Sequence, residues 1–282
     1  MTSILILGST GFIGKNLKNL FEEHDDYKVY APNRSELNLL NPKACENYLS
    51  KTKPDIVIFS VVDINSIEKS VLPFFNIYRY HHNFKYLINL GSGAEYDRNS
   101  AVELISEEEY GRSIPTDTYS VSKFIISNEI ENSLQNKFFN IRLFGVFGPY
   151  EDSSRRFISN NILNIKNNSK IVVNKNMVLD YISVWDLYNL ITLIIPKLPL
   201  PFKSFNFCRG GESISLLEIA KIIKLLTNTN LDIEVKDGNL APPYTGSNKK
   251  ISEFLRGFEL MSLESSIRKL YKYYLDNPES LK

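Results

Sequence analysis

With 282 residues, 43% of them hydrophobic, the chain can bury one large α/β domain, or a nucleotide-binding domain plus a smaller lobe. A formal net charge of +1 excludes the broadly basic surface that nucleic-acid binding requires. The two cysteines, Cys45 and Cys208, lie far apart, and three histidines, His81 and His82 adjacent among them, make no ligand spacing; this argues against a metal centre and for a reducing cytoplasm, and no apolar run approaches the ~20 residues of a membrane span.

Ile4 to Leu7 is a continuous apolar run, the pattern of a strand buried on both faces of a parallel sheet. Gly8, Gly11 and Gly14 follow at intervals of three. Lys15 to Glu23 then has helical periodicity, with Ile13, Leu17, Leu20 and Phe21 on one face. Strand, glycine turn and helix are the context of a dinucleotide-binding loop. Gly8 permits the tight turn and Gly11 lets the backbone approach a pyrophosphate. The helix N-terminus supplies N–H groups and the positive end of its dipole. The cofactor loop is therefore predicted at Gly8, Thr10, Gly11, Phe12, Ile13 and Gly14.

Lys28 to Ala31 predicts a second strand ending in Pro32-Asn33-Arg34-Ser35. A carboxylate here would bind the adenosine ribose hydroxyls and select NAD(H). There is none; Arg34 offers a guanidinium fork and Ser35 a hydroxyl, which favours NADP(H) over NAD(H). Asn41-Pro42 opens a helix through Ser50, because proline suits the first helical turn. Pro54 to Val62 is a third buried strand. Its carboxyl end, Val61 to Asn65, is expected beside the cofactor, with Ser60 and Val61 in contact with it. A helix follows from about Ser66 to His82, in which Asn76 is either exposed or facing the sheet. Tyr86 to Leu90 is a fourth strand, running into Gly91-Ser92-Gly93-Ala94-Glu95-Tyr96.

Downstream, Tyr119 and Lys123 are four apart and share a helix face. A free tyrosine has a pKa near ~10 and exchanges protons poorly at neutral pH. An ammonium one turn away favours the phenolate. Ser92, held at a strand end, can orient a carbonyl or alcohol oxygen while Tyr119 gives or takes its proton.

With these three features, the chain resembles the extended short-chain dehydrogenase/reductases of the NAD-dependent epimerase/dehydratase family. Gly8-x-x-Gly11-x-x-Gly14 matches that family's cofactor fingerprint, and Ser92, Tyr119 and Lys123 its catalytic set. Arg142 to Pro149 is similar to its Arg-x-x-Asn-Val-Tyr-Gly-Pro block, and Leu179 to Leu187 to its Arg-Asp-Phe-Ile-His-Val-Asp-Asp block. Arg34 to Asn41 looks most like GDP-fucose synthase and dTDP-4-keto-rhamnose reductase, which use NADPH; this adds Asn38 and Leu39 to the expected cofactor contacts. The resemblance implies an α/β fold, a doubly wound parallel sheet of Rossmann type with a smaller C-terminal substrate lobe. The dinucleotide domain would span 1–150, with 181–208 returning to it, and the lobe 151–180 and 209–282. It further implies a cytoplasmic homodimer and a nucleotide-sugar substrate used for cell-surface polysaccharide. Substrate contacts would be Ser92, Gly93, Ala94, Tyr119 and Arg156.

Departures from the family pattern narrow the chemistry. GDP-fucose synthase has a cysteine, used in epimerisation, where this chain has Ala94. Glu95 would point elsewhere if the backbone there is strand-like. The acidic pair of the dehydratases is missing after Ser92. Leu179 and Pro243-Tyr244-Thr245 stand where relatives carry arginines for the substrate diphosphate, leaving Arg155, Arg156, Arg209 and Lys249 as cation candidates. The pattern implies an NADPH-dependent 4-ketoreductase. The alternatives are a 4-epimerase or dehydrogenase that retains its cofactor, and an NADP-binding protein without catalysis.

Overall fold

The computed structural model describes residues 1–97 and 102–281, which divide into two compact units. One unit comprises Met1–Asn99, Glu107–Leu143 and Tyr188–Asn206. Its sheet is built from β1 (Thr2–Leu7), β2 (Tyr27–Tyr30), β3 (Ile56–Phe59), β4 (Tyr86–Ser92), β5 (Phe138–Leu143) and β6 (Ser204–Phe207), in the order β6-β5-β4-β3-β1-β2. The pairs β1–β2, β1–β3, β3–β4 and β4–β5 are all parallel. The apolar runs read from the sequence form these strands because side chains on both faces are covered. Leu5 and Leu7 join Val57, Phe59 and Leu87 on one face. Over them lie Leu49 of α2 (Pro42–Thr52), Phe74 and Ile77 of α3 (Ile67–Tyr78), and Ile126 and Ile130 of α4 (Thr118–Asn132). Ile4 and Ile6 alternate to the other face and are as fully buried. Each such side chain contributes about 1.5–3 kcal/mol on leaving water.

The helix starts follow their caps. Asn41 Oδ1 accepts the Lys43 and Ala44 amides at 3.0 and 3.1 Å and opens α2. Asp117 does the same for α4, accepting the Ser120 amide at 3.0 Å. α1 (Phe12–Glu22) begins directly after Gly11, three residues before its apolar periodicity becomes visible. Asn76 faces inward: it is buried, and its amide donates to Leu39 O at 2.9 Å, tying α3 to the loop after β2.

The other unit comprises Ser100–Ser106, Phe144–Leu187 and Phe207–Lys282. Val102–Ile105 pairs with Leu240–Gly246, and Val146–Phe147 with Ile182–Ser183. These short pairings carry the chain out of the first unit at Leu143 and back at Tyr188, where the sequence had suggested a boundary near 150 and a return at 181. Arg209, a candidate substrate cation in the sequence, is buried in this unit and committed to it. Its guanidinium donates to Tyr181 O at 2.7 Å and Met261 O at 2.8 Å. Asp180 accepts the Arg209 and Gly246 amides at 2.8 and 2.7 Å. Lys249 is exposed and pairs with Glu253 at 3.9 Å.

Glu151 is a second buried group of this unit. The Ser159 hydroxyl donates to its carboxyl and lies 2.8 Å from the Tyr274 hydroxyl. Burial pushes the Glu151 pKa from its ordinary 4.5 up to about 8. An acid whose pKa is raised on folding contributes stability that is full below its unfolded pKa. That contribution is lost as pH rises through the folded value. The melting temperature is therefore expected to fall between about pH 5 and pH 9. Glu151→Gln should flatten that slope, and thermal melts at both ends of the range measure it. Among the described residues no helix is long and apolar enough to cross a membrane.

Candidate active site

β1 lies between β2 and β3, so the direction of strand addition reverses there. In open α/β sheets, ligands bind outside the carboxyl ends of the strands at this switch point. The chain leaves β1 through Gly8, whose φ of +83° is open to glycine and strained for other residues. A Cβ on Gly14 would collide with the Gly8 carbonyl, so only glycine lets the first turn of α1 sit against the loop. No side chain caps that turn. Ser60 locks the loop from β3: its hydroxyl donates to Leu7 O at 2.7 Å.

A cavity of about 220 Å³ opens here, walled by Gly8, Thr10, Arg34, Asn38, Leu39 and Val61 among the expected residues. Gly11, Phe12, Ile13, Gly14 and Ser60 stand behind this wall, in the loop, the start of α1 and the end of β3. Asp63, within the expected stretch after β3, also lines it, as do Ser9 and Asn33, which were not anticipated. Ser9 ties the loop to the end of β2, donating to Ala31 O at 3.1 Å and Pro32 O at 3.0 Å. Asn33 Oδ1 accepts the Ser35 amide at 2.9 Å and the Ser35 hydroxyl at 2.6 Å. This is an Asx turn, which Pro-Asn-x-Ser could have signalled. It occupies the hydroxyl of Ser35 and leaves Arg34 as an exposed cation at the rim, where Lys69 of α3 is a second one. Glu36 turns back to accept the Asn33 amide at 2.8 Å. Glycine backbone, an uncapped helix start, apolar walls and a guanidinium at the mouth fit the adenosine and phosphate end of a nicotinamide dinucleotide.

The second half of the site is built on β4 and α4. Ser92 ends β4, buried, and accepts the Ala94 amide at 3.1 Å. The backbone then turns into a single 3₁₀ turn, Gly93–Tyr96, not a strand. Gly93 and Ala94 are buried within it, and the Glu95 carboxylate swings inward. It accepts the Ser92 amide at 2.8 Å, the Asn140 side chain at 3.0 Å and Arg142 Nε at 2.7 Å. Arg142 is fully buried, with its guanidinium 4.2 Å from the Tyr110 ring centre and 5.3 Å from that of Tyr96. Burial alone would lower its pKa, but the Glu95 carboxylate raises it, so the cation is held firmly.

Tyr119, Lys123, Ser127 and Glu131 step along α4 at intervals of four and so share one face. Tyr119 is half-buried, in the first turn. Lys123 is buried, and its ammonium donates to Leu90 O at 2.7 Å, two residues before Ser92. Lys123 is thus tied to β4 two residues before Ser92. Burial lowers the Lys123 pKa to about 8, with Glu95 opposing the shift. Ser127 and Glu131 receive the other end of Arg142, each at 3.0 Å. Arg156 belongs to the second unit, exposed at the start of the helix Phe157–Lys166. No sequence signal pointed to the Glu95–Arg142 pair, because its members come from separate segments.

The sequence profile of the NAD dependent epimerase/dehydratase family matches residues 4–206. A GDP-6-deoxy-D-talose 4-dehydrogenase of Aggregatibacter actinomycetemcomitans is 25% identical over 314 aligned positions, covering 95% of this chain and 97% of that protein. A GDP-L-fucose synthetase from Naegleria fowleri superposes with a TM-score of 0.83 at 17% identity, over 100% of this chain and 94% of the other. A GDP-mannoheptose C4 reductase from Campylobacter jejuni with NADP bound superposes with a TM-score of 0.79 at 18% identity, over 97% and 98%. The family profile spans well over half of the residues, including the glycine loop, Ser92 and the Tyr119–Lys123 helix, and the chain therefore belongs to the NAD dependent epimerase/dehydratase family.

Proposed function

We propose that the protein is an NADPH-dependent reductase of a nucleotide-linked 4-keto-6-deoxy sugar, yielding an activated deoxysugar of the kind used in cell-surface polysaccharide. The observation that carries this reading is the tie of Lys123 to Leu90 O, two residues before Ser92 at the end of β4, with Tyr119 one turn from Lys123. The 25%-identical relative is named as a 4-dehydrogenase of a GDP-linked 6-deoxy sugar, and oxidation and reduction at C4 are two directions of one reaction.

The nicotinamide, when bound, supplies the hydride. The Ser92 hydroxyl orients the keto oxygen, and Tyr119 delivers a proton to it. The Lys123 ammonium favours the phenolate left behind and holds the nicotinamide ribose. Gly93 and Ala94 floor the sugar site without adding a proton-transfer group; Ala94 has none to offer, so the carbons beside the ketone keep their configuration. Arg156 supplies a cation for the substrate diphosphate. Arg34 takes the adenosine 2′-phosphate. Charge-assisted hydrogen bonds contribute about 1.5–3 kcal/mol, so Arg34→Ala should weaken NADPH binding about 10–100-fold. NADH binding should barely change, as fluorescence titration of both cofactors would show.

The reading is tested by mixing the protein with NADPH and with GDP-, dTDP-, CDP- or UDP-linked 4-keto-6-deoxy sugars, and following loss of reduced-nicotinamide absorbance. Stoichiometric oxidation with one sugar supports it. An altered sugar with no net oxidation would point to the epimerase instead.

A further inference from the structure

The buried Glu95 carboxylate is not used by the proton transfer outlined above, yet the end of β4 is shaped around it. A Cβ on Gly91 would collide with Glu95 Oε1 and with the Asn140 side chain, so the strand carries glycine where the carboxylate crosses it. Glu95 holds the backbone after Gly91 through the Ser92 amide, at 2.8 Å. Lys123 holds the backbone before it through Leu90 O, at 2.7 Å. Anion and cation thus grip the same three residues of β4, one from each side.

We infer that Glu95 is a positioning residue for the Ser92–Tyr119–Lys123 set: it fixes the Ser92 backbone and keeps a negative charge beside Lys123 so that the buried lysine stays an ammonium. The inference rests on the proton-transfer role given to Tyr119 and Lys123 above. Its physical basis is that a buried lysine sheds its proton unless an anion is near. Among the described residues, Glu95 and Tyr96 of the turn, Arg142 of β5, Glu107 and Tyr110 before α4, and Tyr119 and Glu131 of α4 are titratable groups near this strand end. Of these, Glu95 is the one whose charge supports Lys123. Arg142 in turn pairs with Glu95, and it is anchored on α4 by Ser127 and Glu131. The four-residue stripe on α4 therefore reads as one device. Its first half handles the proton, and its second half holds the counter-charge in register.

The test is an NMR titration of the Lys123 side chain in protein labelled with ¹³C at lysine Cε, the resonance being assigned by its absence in Lys123→Met. This readout needs no substrate, so it stands even if every sugar assay fails. In Glu95→Gln the Lys123 titration should move down by about one pH unit. In Glu131→Gln, which weakens the outer end of the same Arg142 network, it should stay put. If Glu95→Gln does not fold, Glu95→Asp keeps the charge but withdraws it by one methylene, and should move the Lys123 titration down by a smaller amount. Where a substrate is found, the alkaline limb of kcat should follow the NMR shift. A Lys123 titration unmoved by loss of Glu95, or moved equally by Glu131→Gln, would overturn the inference.

Discussion

Tyr119→Phe is expected to cut turnover by about two to four orders of magnitude, the usual range for a lost general acid. The hydroxyl is the only atom removed, and the ring stays in the first turn of α4. Cofactor affinity should therefore change little, and KM for the sugar less than about threefold if the hydroxyl acts mainly in the transition state. Single-turnover rates together with a dinucleotide binding titration separate the two. A variant that kept near-normal turnover would remove Tyr119 from the chemistry and leave Ser92 and Lys123 without a proton donor.

Arg142→Met should be the most damaging single change to the fold of the first unit. The guanidinium fills a fully buried slot beside two aromatic rings and answers Glu95, Ser127 and Glu131 at once. Methionine fills part of the slot but leaves the Glu95 carboxylate buried and unpaired. Breaking a buried pair from one side costs about 3–5 kcal/mol. For a chain of this size that is a fall of roughly 6–20 °C in melting temperature. Replacing both partners, as Glu95→Gln/Arg142→Met, should recover part of the loss, since the Glu95 carboxylate is no longer left without its guanidinium. The contrast is Arg268–Glu264, a 2.8 Å pair whose side chains are 64% and 51% exposed. Its loss should cost about 0–1 kcal/mol, because water and screening already weaken it. Thermal melts of the three variants measure the difference.

Features set by neighbours in sequence were legible before the structure. The Ile4–Leu7 run and the three glycines after it define the cofactor loop within fourteen residues. Tyr119 and Lys123 sit one turn apart on any helix that carries them. The parallel sheet followed from the apolar runs, and the capping of α2 from Asn41-Pro42. What escaped the sequence depends on partners far along the chain. The Glu95 side chain is aimed by Asn140 and Arg142, 45 and 47 residues away. The inward swing further needs the chain to leave β4 in a 3₁₀ turn, which Gly93 permits but does not announce. Arg209 looked available because its acceptors, Tyr181 O and Met261 O, are backbone atoms with no composition of their own. The unit boundary shifted because two-residue strands such as Val146–Phe147 and Ile182–Ser183 are too short to leave a period in the sequence.

The most direct measurement is the fate of a deuterium label. The protein is mixed with NADPH deuterated at the transferable position of the nicotinamide and with a nucleotide-linked 4-keto-6-deoxy sugar, and the sugar is examined by NMR. A C4-reduced product is expected, carrying one deuterium at C4 and none at C3 or C5, with one NADP formed for each sugar. An unlabelled product, or exchange at C3 or C5 in deuterated water without consumption of NADPH, would contradict reduction at C4 as the reaction of this site.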